Sequence, residues 1–445
     1  MSDGRVIPRS LQPIVRPQAI WIVGLAVAAG VLVTVINELF LQLAAIGALT
    51  ALLIALALTR AGGVLNAAWP IVVWLYLLGP IGSGAALLGL DLSAGVVVLL
   101  GIAPFPIFAA AARPRILLAL AQLLPIALLA AIAILSLAWS SEPAYGMSKL
   151  ALWLATCILP AAFIVMLARA TTVSWRLIAG IGFAYVVILL LFGAETATYG
   201  AGRPTIFGAN PIWVARAAVI VAIVGAFGPF KLPMRLALLV TGTIGAVMTG
   251  SSGPVAGLVA GILAGAAVEV RRRGWGDWRT LLACICLLGV AAMLLVAVML
   301  GLLDRAVDDS LADPNTLSRP TFFIEAARLF SASPLIGAGF GAFASTGLAL
   351  YPHNLVAEVA GELGLLGLLA LGAWILVALR ASFRSALFTA LIVSTFVFSM
   401  FSGNIAGNAE FWFFSALAVG ALPMTGSLPS SDTIQTTLGR SPARV

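Results

Sequence analysis

One histidine and a small set of arginines are the side chains of this sequence best suited to chemistry. His353 is the only histidine, and an imidazole with an ordinary pKa of about 6.5 can take a proton from a hydroxyl group near neutral pH. Arg203, Arg216 and Arg319 could bind an anion, because a guanidinium grips phosphate or carboxylate through two parallel hydrogen bonds. These residue types are compatible with base catalysis beside an anionic group.

His353 stands among further polar residues at the start of a long apolar stretch. Pro352 opens a predicted helix, and Asn354, Glu358 and Glu362 follow at spacings of four residues, so they share one helix face. A lone histidine at a helix end is often an interfacial anchor, but the neighbouring amide and carboxylates favour a functional site. Either Asn354 or Glu358 could orient the imidazole, and the sequence leaves that choice open.

The elements that must position these residues are membrane helices. The chain is 62% hydrophobic and only 9% charged, whereas a soluble domain carries about 25% charged residues. Apolar runs of about 17 to 25 residues, the length of a membrane-spanning helix, recur along the chain, and the short alternating segments of a β-barrel are not seen. We therefore predict an all-α, polytopic transmembrane bundle of about fourteen spans, with twelve as the alternative. The spans lie near 20–36, 39–58, 64–80, 93–112, 116–138, 149–168, 177–193, 211–228, 234–250, 254–270, 280–303, 355–379, 385–402 and 409–423.

The distribution of charge predicts the orientation of the bundle. With the N-terminus inside, eighteen of the 24 basic residues fall in cytoplasmic loops, as the positive-inside rule requires. The net charge of +8 is thereby explained without a nucleic-acid partner. Both termini are predicted to be cytoplasmic, and the first helix is predicted to be retained rather than cleaved as a signal peptide. The predicted regions are helices over 1–303 (about eleven), an external loop over 304–352, three helices over 353–423 and a disordered tail over 424–445.

Some basic residues fall on the opposite, external side. Lys149 fits an anchor that snorkels to the interface. Arg216 lies five residues after Pro211, more than one turn inside a span, which indicates a functional site, an internal ion pair or a misplaced helix boundary. Arg203 precedes Asn210, a predicted helix cap, in a short external loop with several glycines. This loop is either a polar turn or an anion site. The six external basic residues are Lys149, Arg203, Arg216, Arg305, Arg319 and Arg328.

The long loop is predicted to contain an amphipathic helix over about 320–331. Arg319 would then stand at a helix N-terminus, where free N–H groups already favour anions, and Arg328 would be exposed or paired with Glu325. The glycines at 337, 339 and 341 resemble a dinucleotide fingerprint, but no βαβ unit surrounds them, so a tight loop packed against the bundle is favoured. The three cysteines lie inside apolar runs, and we predict no disulfide and no metal site. The apolar residues that the amphipathic helix over 320–331 would bury are Phe322, Phe323, Ile324, Ala327 and Leu329.

Four stretches resemble the O-antigen ligase and polymerase superfamily of bacterial membrane glycosyltransferases. They are GRPTIFGANP (202–211), MTGSSG (248–253), SR with PLIGAG (318–339) and HN with ELGLLG (353–367), and they occur in the family's order. The sequence departs from the family pattern where Ser252 replaces a common arginine and where Ile212 replaces a common asparagine. Fourteen spans also exceed the twelve typical of the ligases.

The resemblance implies transfer of a glycan from undecaprenyl diphosphate to an acceptor hydroxyl at the periplasmic face of a bacterial inner membrane, without metal, cofactor or nucleotide sugar. It also implies that the external loop 304–352 is periplasmic. A lipid A core is the first predicted acceptor, which would make the protein a ligase. A second carrier-linked glycan is the alternative, which would make it a polymerase. A non-enzymatic glycolipid flippase, from a different class, predicts charges spread along a midplane cavity. The implied catalytic residues are His353 and Arg319, and the implied diphosphate- or substrate-binding residues are Arg203, Arg216, Asn210, Asn354 and Glu358.

Overall fold

A computed structural model describes residues 65–66, 116–166, 171–172, 175–195, 204–205, 210–273 and 319–420. The helices in these ranges are α1 Ile116–Ser136, α2 Pro143–Trp153, α3 Leu159–Met166, α4 Trp175–Phe192, α5 Pro211–Phe227, α6 Leu232–Met248, α7 Ser252–Arg273, α8 Arg319–Ala332, α9 Leu355–Ser382, α10 Ala386–Phe401 and α11 Ala409–Gly420. A π-helical turn, Leu154–Ile158, joins α2 to α3, and short 3₁₀ turns cover Leu137–Trp139, Ala342–Thr346 and Ala406–Asn408. The strands have two residues each: β1 Leu65–Asn66 pairs in parallel with β2 Thr171–Thr172, and β3 Ala194–Glu195 pairs antiparallel with β4 Pro204–Thr205.

The helical fold class predicted from the sequence is confirmed for the described part of the chain. Each span predicted between 116 and 270 and between 355 and 423 coincides with a helix, α2, the π turn and α3 together forming one of them. The spans predicted near 20–36, 39–58, 64–80, 93–112 and 280–303 lie largely outside the described residues, so the total of about fourteen stays a prediction. Among the described residues, four helical segments are long and apolar enough to cross a membrane: Ala121–Trp139, Pro143–Ala162, Ser252–Arg272 and Leu355–Ser382.

Two helices, α5 and α11, form the centre of the described bundle. Apart from the buried ion pair Arg216–Glu410, both carry mostly apolar residues around their whole circumference, which is the pattern of a helix enclosed by other helices. Residues 217–224 of α5 and 411–414 of α11 have no exposed surface. Helix α5 contacts α4, α6, α7 and α10, and α11 contacts α3, α9 and α10.

Glycines spaced four residues apart allow α7 and α10 to pack closely. Gly253, Gly257, Gly261 and Gly265 form one stripe on α7 that faces α10, and small residues are the usual means by which membrane helices bring their backbones together. A methyl group on Gly261 would lie only 2.7 Å from the Ala390 carbonyl oxygen. The stripe therefore sets the distance between these two helices.

Helix α9 is broken at Gly364, whose φ of 64° lies in the left-handed region. The break removes two helical hydrogen bonds, from the N–H groups of Leu365 and Leu366 to the carbonyls of Gly361 and Glu362. Backbone groups of the segment 334–341, the glycine-rich loop, replace them, so the buried polar groups remain satisfied. The new bonds run from Leu365 N to Pro334 O (2.8 Å), Leu366 N to Leu335 O (3.1 Å), Ala338 N to Gly361 O (2.9 Å) and Gly339 N to Glu362 O (2.9 Å).

The glycine-rich loop is as tightly packed as the sequence predicts. Gly337, Gly339 and Gly341 all have positive φ values, of 71°, 101° and 86°. A methyl group on Gly337 would lie 2.3 Å from the Glu362 backbone, and one on Gly339 would lie 2.5 Å from Ser140. The glycines thus admit a close backbone approach, and the dinucleotide-fingerprint alternative does not apply.

The amphipathic helix is confirmed as α8, which begins at Arg319, but its buried face is narrower than predicted. Phe322 and Ala326 are buried because they face α9, where Gly361 lets Ala326 approach. Leu329 is partly buried, and Arg328 is exposed and pairs with Glu325 at 2.5 Å, as predicted. The prediction is wrong for Phe323, Ile324 and Ala327, which are exposed because they point away from that contact.

Candidate functional site

A cleft of about 300 Å³ brings together three of the residues predicted to form a site. Asn210 and Arg216 come from the start of α5, and His353 comes from the segment before α9. The other walls are formed by Tyr351, by apolar side chains that include Trp213, and by the segment 402–407 between α10 and α11. The cleft therefore joins parts of the chain that are far apart in sequence.

His353 has a strained backbone and an aromatic environment. Its φ of 56° is unusual for a residue with a side chain. Its ring stacks on Phe322 of α8, with centroids 5.8 Å apart, and lies 4.5 Å from the ring of Tyr351. Burial lowers the pKa of His353 below its ordinary value, and the charge of Arg319 lowers it further. The imidazole is therefore neutral at neutral pH and can accept a proton.

Arg216 is the most extensively bonded residue of the cleft. It is 1% exposed and pairs with Glu410 at 3.3 Å. The guanidinium also donates to the Ser402 carbonyl (2.9 Å), to Asn408 Oδ1 (2.9 Å) and to the Gly407 carbonyl (3.0 Å). Its Nε has no partner among the described residues. The structure thus contains the internal ion pair that the sequence analysis offered as one explanation of Arg216. Arg216 also fixes the segment 402–410 while it lines the cleft.

The helix boundary at Arg216 is also as predicted, because α5 begins at Pro211. Asn210 caps this helix by accepting a hydrogen bond from the Ile212 N–H at 2.9 Å. The cap fixes the start of α5, so Asn210 takes part in the cleft both as a lining residue and by fixing the position of Arg216. Arg203 lies outside the described residues, and its assignment to the site stays a prediction.

Asn354 acts as a helix cap rather than as a lining residue. Its Oδ1 accepts from the Ala357 N–H at 2.9 Å, and its amide donates to the Met400 carbonyl at 3.1 Å. Both contacts are with backbone groups, so the side chain anchors the start of α9 to the end of α10. This anchoring fixes the backbone immediately after His353, but Asn354 is not among the residues that line the cleft.

Lys149 is not a snorkelling anchor, and that prediction is wrong. Its side chain has no exposed surface and pairs with Glu358 at 2.5 Å and with Glu362 at 2.6 Å. The reason is that α2 packs inside the bundle, where an ammonium group cannot reach water and needs partners. We call Lys149, Glu358 and Glu362 the ion triad.

The ion triad holds two loops from behind the cleft. Glu358 accepts a hydrogen bond from the Ile405 N–H, and Glu362 accepts one from the Gly341 N–H, both at 2.9 Å. Ile405 belongs to the segment that walls the cleft, whereas Gly341 belongs to the glycine-rich loop. The structure therefore places Glu358 in a supporting position behind the cleft, and its predicted role in orienting His353 or binding substrate stays a prediction.

The segment 402–410, with the sequence SGNIAGNAE, was missed by the sequence reasoning. It supplies Ser402 and Asn404 to the cleft and Asn408 and Glu410 to Arg216. Neutral polar residues and glycines between two apolar runs look like an ordinary connection. A usable signal was present in Glu410, an acid at the start of a predicted span and hence a candidate partner for Arg216.

The fold and the cleft define a class: a polytopic helical membrane protein with a neutral imidazole and a guanidinium in one cleft. Residues 237–372 match the family model described as O-Antigen ligase. The match includes three of the four stretches that carried the resemblance, and with them Arg319 and His353. It supports placing the chain in the O-antigen ligase superfamily, as the sequence predicted, and supports a glycosyltransferase-type enzyme. No curated protein matches the chain.

Proposed function

We propose that the protein transfers a glycan from undecaprenyl diphosphate to an acceptor hydroxyl, most favourably to a sugar of a lipid A core. The observation that carries this proposal is the position of His353 in a cleft with Arg216 and Asn210. Burial and the charge of Arg319 lower the pKa of His353, which suits it to accept a proton. Both residues lie in the range that matches the ligase family.

The proposed step is a displacement at the anomeric carbon of the donor glycan. The acceptor oxygen forms the new glycosidic bond while the bond to the carrier diphosphate breaks and its electron pair stays on the diphosphate. His353 takes the proton of the acceptor hydroxyl. The cationic groups act where negative charge develops on the leaving group, the place at which fixed charge contributes most to catalysis.

Arg319 is the described cation best placed to act on the diphosphate. It begins α8, where the N–H groups of the first helical turn also favour an anion, and it acts electrostatically on His353. Arg203 is proposed as a second diphosphate ligand. Arg216 is proposed to contribute positive potential while it fixes the cleft wall, because most of its donors already bind protein groups.

The arrangement of buried ions favours an enzyme over a flippase. A transporter predicts charges spread along a midplane cavity, whereas Arg216 pairs with Glu410 at the cleft and the ion triad pairs behind it. The periplasmic position of the cleft is also proposed. Its support is that the basic residues predicted to be cytoplasmic, among them Arg176, Lys231 and Arg272, surround a cavity formed by the other ends of the helices.

The test uses the purified full-length protein with an undecaprenyl-diphosphate-linked glycan and a lipid A core acceptor. His353→Ala and Arg319→Ala are each expected to lower the transfer rate by about 100-fold or more. Arg328→Ala is the matched control, because Arg328 lies on the same helix but is exposed and paired with Glu325, and it should retain wild-type transfer. Full activity in both site variants would refute the assigned mechanism. Transfer only to a second carrier-linked glycan would identify a polymerase instead of a ligase.

A further inference from the structure

A second cavity, of about 710 Å³, lies at the end of the bundle opposite the cleft. Helix α5 connects the two sites, since Pro211 is at the cleft end and Phe227 lines the cavity. Its length of 17 residues separates them by about 25 Å at 1.5 Å per residue. The cavity is therefore a separate site, and its role is independent of the transferase proposal.

Positive charge dominates the lining of this cavity. Arg176, Lys231 and Arg272 are exposed at its edge, and Arg235 is buried in its wall, whereas Glu269 is the acid of the described lining. The three exposed cations come from the starts of α4 and α6 and the end of α7. Three helix ends that are distant in sequence therefore each place a positive charge at the edge of the cavity.

Arg235 shapes the wall of the cavity. Its Nε donates to the Gly225 carbonyl at 3.2 Å, and a terminal nitrogen donates to the Ala226 carbonyl. These are among the last carbonyls of α5, which lack helical partners. With Arg235 engaged in this way, the exposed cations are the side chains best placed to meet a ligand from solvent or from the membrane surface.

The remaining lining suits a phosphate group attached to an apolar body. The start of α10, with Ser385 as its cap, lines the cavity, and a helix N-terminus favours an anion. Trp175, Phe227 and Phe230 also line it, and tryptophan in particular collects at the level of lipid headgroups. The combination of cations, a helix start and aromatic rings at a bundle end fits a lipid headgroup better than a fully hydrated ion.

Orientation in the membrane does not explain this convergence. Arg271, Arg380 and Arg384 are exposed near the same helix ends, yet they do not line the cavity. The positive-inside rule requires cations on this side of the membrane but does not require their side chains to converge on one cavity. We propose that the cavity binds the phosphate headgroup of an anionic phospholipid.

The test measures retention of phosphatidylglycerol by the purified full-length protein, with native mass spectrometry and phosphatidylcholine as the neutral comparison. The variant Arg176→Gln/Lys231→Gln/Arg272→Gln is expected to bind phosphatidylglycerol at least about tenfold more weakly. Each cation near an anionic headgroup is expected to contribute about fivefold, equivalent to about 1 kcal/mol, so tenfold is a conservative expectation for three.

The matched control is Arg271→Gln/Arg380→Gln/Arg384→Gln, which removes the same charge from the same end of the bundle. It should bind phosphatidylglycerol as the unmodified protein does. Equal weakening in both triple variants, or unchanged binding in the cavity variant, would overturn the proposal. Complete displacement of the lipid by millimolar inorganic phosphate would also overturn it, because the occupant would then be a free anion. All six substituted side chains are exposed, so both variants are expected to fold.

Discussion

Replacing Lys149 with methionine tests whether the ion triad stabilises the bundle. The side chain of Lys149 has no exposed surface, and those of Glu358 and Glu362 are each 1% exposed. Lys149→Met would leave two buried carboxylates without their shared cation and with only backbone N–H groups as partners. Removing one member of a buried ion pair typically costs about 3–5 kcal/mol, and we expect a loss of that size.

The loss can be measured by thermal unfolding of the detergent-purified protein, followed by tryptophan fluorescence. A destabilisation of about 3–5 kcal/mol corresponds to a fall in Tm on the order of 10 °C in a chain of this kind. Lys231→Met is the matched control because it makes the same chemical change at an exposed lysine. Exposed substitutions usually alter stability by less than about 0.5 kcal/mol, so its Tm should stay close to that of the unmodified protein.

A neutral version of the ion triad separates loss of pairing from loss of volume. The variant Lys149→Met/Glu358→Gln/Glu362→Gln leaves no charge in the ion triad. Its amide oxygens can still accept from the N–H groups of Ile405 and Gly341. Replacing a whole buried ion cluster with neutral groups is often tolerated, so this variant should recover most of the lost Tm. The reasoning is refuted if Lys149→Met keeps the wild-type Tm, or if the triple variant is no more stable than the single one.

Two further predictions concern the base and the packing of the helices. Because its pKa is lowered, His353 stays unprotonated to a lower pH, and activity should fall as the pH drops below that pKa; Arg319→Gln should raise the pKa and move the acidic limb of the pH–rate profile to higher pH. An unmoved limb would contradict the assignment of His353 as the base. Gly261→Ala would force a methyl group to 2.7 Å from the Ala390 carbonyl oxygen and should lower stability by about 1–3 kcal/mol, whereas Gly372→Ala, with nothing within 4 Å, should be neutral or slightly stabilising. Equal Tm values for these two glycine variants would contradict the close packing of α7 on α10.

The features that could be predicted from the sequence are those with a local cause. A run of apolar residues of the right length forms a helix wherever a bilayer is the solvent, so each described span was recognisable. Pro211 and Asn210 mark the start of α5 by local chemistry, which is why Arg216 was correctly placed inside a helix. The start of α8 at Arg319 had the same kind of local signal in Pro320.

The features that could not be predicted depend on contacts between distant parts of the chain. Lys149 lies 213 residues from Glu362, and nothing near it in sequence distinguishes a paired buried lysine from an anchor. The break in α9 was hidden for a related reason. Gly364 lies in a sequence that is otherwise strongly helical, and its break is possible because the loop 334–339 supplies the missing hydrogen bonds.

The buried ions explain how irregular segments can wall a cleft inside an apolar bundle. A loop at this depth carries backbone N–H and C=O groups that lipid cannot satisfy, so it persists only where protein groups bind them. Glu358 and Glu362 supply acceptors for two such N–H groups, and Arg216 supplies donors for two such carbonyls. Lys149 and Glu410 then balance those charges, so each buried ion near the cleft has a backbone partner or an ionic one. His353 differs, because its described contacts are aromatic rings and its neutral state leaves a ring nitrogen able to accept a proton. The charged residues therefore maintain the shape of the cleft, and the uncharged histidine is the group available for the reaction.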